Sequence, residues 1–86
     1  MCNFSINFNG DAQSIINRAE TAITNAGGSF ERTSDTTGNF SIHTHAGIIV
    51  GNYTVVDQAF QIVITQKPFL VSCNRIEEEL RRQIGG

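Results

Sequence analysis

The chain opens with unbroken alternation: Cys2, Phe4, Ile6 and Phe8 are apolar, and Asn3, Ser5 and Asn7 between them are polar. A period of two with one apolar side predicts a half-buried strand. Asn9-Gly10 interrupts it, and Asp11 is placed to cap a helix by accepting from its first free amides. Over residues 12–26 the apolar positions become Ile15, Ile16, Ala19, Ala22, Ile23 and Ala26, a stripe of helical period with Gln13, Asn17, Arg18, Glu20 and Thr21 outside it. Gly27 supplies the left-handed stop that helix ends favour.

The middle of the chain reads as strands. Residues 28–33 form a modest strand carrying Phe30, and residues 34–39 a turn rich in Asp, Thr and Gly. Phe40, Ile42 and Thr44 then alternate with Ser41, His43 and His45, and Ala46-Gly47 permits a sharp reversal. Residues 48–56 put Gly51, Tyr53 and Val55 on one side and Asn52 and Thr54 on the other. Asp57-Gln58 is a short hairpin link to Phe60, Ile62 and Ile64, and Pro68, with no amide to donate, ends the pairing. A last helix is expected from Ser72 or Asn74 to Ile84, with Asn74 and Glu77 in the spacing of a capping box and Ile76, Leu80 and Ile84 as its stripe. Glu77 with Arg81, and Glu78 with Arg82, stand in the favourable i,i+4 order.

Strand, helix, four strands and helix imply a single α+β domain over residues 1–86. Short links make consecutive strands antiparallel neighbours. The side of the strands carrying Asn3, Ser5, Asn7, His43, His45, Asn52, Thr54, Gln61 and Thr65 is too polar to hold a second layer of helices. The expectation is a two-layer fold, both helices on one face of the antiparallel sheet and water on the other.

Composition narrows the function. Six Lys+Arg against eight Asp+Glu give a net charge of −2, no field for gripping phosphates, and no aromatic stacking set accompanies the basic residues, so nucleic acid is not an expected partner. No apolar run approaches the roughly 18 residues of a membrane span, and no basic-then-apolar segment opens the chain, which points to the cytoplasm. Cys2 and Cys73 are too few for a disulfide scaffold. They meet only if the first strand and last helix are neighbours, and without an export signal they are read as reduced thiols acting as small apolar residues. Cys73, near a helix start, also sits where a thiolate is stabilised.

His43-Thr44-His45 places two imidazoles on one side of a strand, a pair able to share a metal ion if Glu31 or Asp35 supplies a further ligand. Against this stands a simpler reading, two half-exposed histidines on a wet sheet face. Asp35-Thr36-Thr37-Gly38 lacks the second carboxylate loop that aspartic chemistry requires and reads as a turn. The closing Gly85-Gly86 matches the tails of ubiquitin-like carriers, but an amphipathic helix runs straight into it, so a helix stop is the plainer reading.

Gly51-x-Tyr53-x-Val55-x-Asp57, Phe60-x-Ile62-x-Ile64, Lys67-Pro68-Phe69-Leu70 and Ile76-Glu77-x-Glu79-Leu80 occur in that order. This pattern resembles the small bacterial proteins named for the polyhydroxyalkanoic acid system, some of them linked to polyester granules, over residues 40–84. The resemblance implies a strand–helix–strands–helix domain with no catalytic residue, in which Gly51, Pro68, Phe69 and Ile76 serve packing and turns. The expected function is therefore non-enzymatic, and no cofactor is expected. The partner is a hydrophobic small molecule, a polymer surface or another protein, met at an apolar opening lined by Ile16, Phe60, Phe69 and Leu70.

Overall fold

A computed structural model describes residues 2–85 of the chain. The elements run β1 (Cys2–Asn7), α1 (Ala12–Asn25), β2 (Ser29–Arg32), β3 (Thr37–Thr44), β4 (Gly47–Val56), β5 (Ala59–Gln66) and α2 (Cys73–Leu80), and α2 passes into a π-helical turn at Arg81–Gly85. The protein is an α+β domain whose five strands form one sheet in the order β1-β5-β4-β3-β2, with every neighbouring pair antiparallel. β2 to β5 are a simple meander. β1 joins its far edge beside β5, so α1 carries the chain from one edge of the sheet to the other.

Alternation does what the pattern dictates. Cys2, Ile6, Phe40, Ile49, Tyr53, Val55, Phe60, Ile62 and Ile64 are buried on one side of the sheet, while Asn3, Ser5, Asn7, Asn52, Gln61 and Thr65 are exposed on the other. Ile15, Ile16, Ala19 and Ile23 of α1, Ile76 and Leu80 of α2, and Ile84 join the buried strand residues in one core.

Helix ends are set by local chemistry. Asp11 Oδ1 accepts from the Ser14 amide at 2.9 Å, and hydrogen bonding to Ser14 holds the Asp11 carboxyl below the usual carboxylate range. At the other end the Gly28 amide donates to Ile23 O and the Gly27 amide to Thr24 O, with Gly27 at φ +83°. That 6→1 and 5→2 pair closes α1 and requires the left-handed residue that glycine adopts freely. The cap of α2 is Ser72 rather than Asn74: its Oγ accepts from the Arg75 amide at 3.1 Å.

Three other expectations are revised. β3 begins at Thr37, not Phe40, because Ser34 Oγ accepts from the Thr36 and Thr37 amides and tightens the turn, freeing Gly38 to pair with Arg32. Arg81 pairs with Glu77 at 2.8 Å as expected, but Arg82 pairs with Glu79, not Glu78. Cys2 and Cys73 are not free thiols: they form a disulfide with their Cα atoms 5.7 Å apart. The pairing of Cys2 with Ile64 puts β1's first residue beside the end of β5, and the chain leaving β5 starts α2 over that same corner.

Edge strand β1 is guarded as well as stapled. The Arg81 guanidinium donates to Ser5 O at 2.8 Å, covering an edge carbonyl that would otherwise be open to another strand. On the opposite side Arg32 of β2 reaches Gln13, Asn17 and Glu20, one face of α1, at 3.1, 2.6 and 2.6 Å.

Close packing makes one glycine indispensable. A Cβ at Gly38 would stand 2.4 Å from Glu31 O and 2.5 Å from the ring and hydroxyl of Tyr53. Gly38→Ala is expected to cost about 1–3 kcal/mol, read as a lowered urea midpoint, whereas Asn39→Ala on the exposed face should leave the midpoint nearly unchanged.

Candidate functional site

α1 and α2 do not lie flush. α1 packs on β2, β3 and the π-helical turn that continues α2. Between the C-terminal part of α1 and the length of α2 lies a groove. The groove holds about 870 Å³. Its base is Ile42 and Ile49 from β3 and β4, one wall is Ala22, Ile23 and Ala26 of α1, and the other is Ile76 and Leu80 of α2, with Leu70 and Val71 of the β5–α2 loop at the end. Polar residues, among them Asn25, Thr44, Arg75, Glu78, Glu79 and Gln83, also line it. Arg75 is exposed and, among the described residues, makes no ion pair.

Of the four apolar positions read from sequence, Leu70 lines this groove. Ile16 and Phe60 are each 1% exposed and lie in the core, outside the groove lining. Phe69 is 88% and Leu70 78% exposed, so Phe69 projects from the loop beside the groove rather than packing, as the family resemblance implied for it. The residues that sequence reasoning missed are Ala22, Ile42, Ile49 and Leu80. All carried a core signature, and only the divergence of the two helices turns that part of the core into a lining.

His43 is the penultimate residue of β3, and His45 lies in the two-residue turn between Thr44 and Gly47, so the pair does not share a strand face. Both are exposed. The turn is held instead by Thr44, whose Oγ1 donates to Gly47 O at 2.7 Å and accepts from the amides of Ala46 and Gly47. Among the described residues no three of His, Cys, Asp and Glu stand together as a metal site. Gly85 belongs to the π-helical turn, and Gly86 lies outside the described residues.

Tyr53 is the only buried side chain among the described residues whose polar atom lacks a partner. Its ring stacks between Phe30 and Phe60, at 5.2 Å from each, and the hydroxyl lies against Gly38. Burial pushes the phenol up from its ordinary value, opposed by the nearby charge of Arg32 and reinforced by Glu20. This places the group in the core, below α1, and away from the groove lining. It is a packing residue with an isolated hydroxyl.

No protein-family model matches the chain, and no curated protein matches it. No helix among the described residues is long and apolar enough to cross a membrane.

Tyr53→Phe removes a buried donor that has nothing to bond, so it is expected to stabilise the fold by up to about 1 kcal/mol. A raised phenol favours the neutral form in the folded state. Stability is therefore intact below the ordinary tyrosine range and falls as pH rises past about 10. Urea midpoints measured through the alkaline range should show that fall in the parent and a smaller one in the phenylalanine variant.

Proposed function

We propose that the protein is a non-catalytic binding module that takes an apolar small molecule between its two helices, which share one face of the sheet. The single observation that carries this reading is the groove. At about 870 Å³ it falls within the roughly 300–1,000 Å³ of small-molecule sites. Aliphatic side chains from the sheet and both helices, with polar residues also in the lining, suit a ligand that has a hydrocarbon body and a polar end. The resemblance to polyhydroxyalkanoic acid system proteins points to the same ligand class, since the monomers of such polyesters are short aliphatic acids.

Amide-shift titration with dodecanoate and with a 3-hydroxy acid of similar length tests the reading. Shifts are expected to concentrate at Ala22, Ile23, Ile42, Ile49 and Ile76. Ala26→Trp, placed at the exposed end of the α1 wall, should fill the opening and weaken binding at least tenfold with little change in stability. Shifts scattered over the exposed sheet face, or none at all, would sink it.

A second reading is favoured by Phe69 and Leu70, two large apolar side chains exposed side by side at the end of the groove. Such a pair suits contact with a hydrophobic polymer surface. In co-sedimentation with polyester granules, Phe69→Ser is expected to lose most of the bound fraction while keeping the dodecanoate shifts, and retention of granule binding by that variant would remove this second reading.

A further inference from the structure

We propose that the Cys2–Cys73 disulfide is a redox latch on one wall of the groove, holding the N-terminal end of α2 against the sheet when oxidised and releasing it when reduced. The inference rests on the groove reading above and adds its regulation. Three observations carry it. Cys73 is the first residue of α2, the helix that supplies Ile76, Leu80 and Glu78 to the groove, and the bridge ties that end to Cys2 across a sequence separation of 71. The N-terminal end of α2 is held by the bridge, by buried Ile76 and by partly buried Val71 just before the helix. Its other end is held independently, by buried Leu80 and Ile84 and by Arg81 on Ser5 O. Opening the bridge therefore frees one end of one wall and leaves the sheet and the other helix in place.

The exchange chemistry is also suited to a reversible switch. Cys2 is 3% exposed, whereas Cys73 is half-buried, so an incoming thiolate reaches the Cys73 sulfur first. A dithiol reductant attacks Cys73 Sγ, the Cys2–Cys73 bond breaks, and Cys2 leaves as a thiolate that takes up a proton. The second thiol of the reductant then attacks the mixed disulfide and expels Cys73 as a thiolate that takes up a proton. Two electrons pass to the protein, two cysteine thiols result and the reductant becomes a disulfide. In a reducing compartment, bridges of this kind are transient and regulatory.

The test compares the oxidised protein, the same protein reduced with dithiothreitol, and Cys73→Ser, by amide hydrogen exchange and by dodecanoate titration. Reduction is expected to speed exchange at residues 75–79 while protection in β4 and β5 stays, and to weaken dodecanoate binding by at least about fivefold, in the usual range of coupling between two sites. Reoxidation should restore both, and Cys73→Ser should match the reduced protein with or without reductant. Unchanged exchange in α2 overturns the latch, and so does collapse of protection across the whole sheet, which would make the bridge a general staple. If neither form binds dodecanoate while the α2 exchange difference persists, the ligand reading fails and the latch stands.

Discussion

The structure depends on a mismatch between an apolar sheet face and the helices available to cover it. Five strands at about 4.8 Å spacing make a surface more than 20 Å wide. Two helices of about 10 Å diameter can cover such a width only if they lie side by side along it. Here one helix has 14 residues and the other 8, roughly 21 Å and 12 Å long. The shorter one is continued by the π-helical turn, which contacts α1, and the groove lies between the two helices. Ile49 stays in the core at the base of that groove while Ile42 is only half-buried.

The same mismatch explains how the molecule secures its edges. α2 is too short to be held by packing alone, and the disulfide, the buried Ile84 and the Arg81–Ser5 contact tie it to β1. The longer α1 relies on four buried side chains and on Arg32, which reaches across from β2 to three residues spaced along one helix face. One helix is anchored by area, the other by points. Point anchoring is what allows a single covalent bond to matter for the shape of the groove.

Most of the fold was legible because it is written in local period. Alternation located all five strands, the 3.6-residue stripe located both helices, and Asp11 and Gly27 marked the ends of α1 to within a residue. What escaped was non-local. Nothing in the spacing of Cys2 reveals that β1 lies next to β5, since the partner is separated from it by more than 50 residues, and without that neighbour the bridge to Cys73 cannot be foreseen. The groove was legible only in kind. An apolar opening between helices and sheet was expected, yet Ile16 and Phe60 are not in its lining, because choosing which core residues line a groove requires knowing where the helices sit. His43 and His45 show a related limit: alternation put them on one face, but the strand ends at Thr44 and the turn takes His45 away.

The position of β1 also orders the assembly of the molecule. The links β3–β4 and β4–β5 are two-residue loops, and β2–β3 is scarcely longer, so the meander forms from contacts near in sequence. Asn7 pairs with Ala59 across 52 residues, and closing that distance costs about 2 kcal/mol more chain entropy than closing a hairpin of a few residues. Chain entropy thereby favours docking β1 onto a meander that already stands, and that step is the one that brings the thiols of Cys2 and Cys73 together.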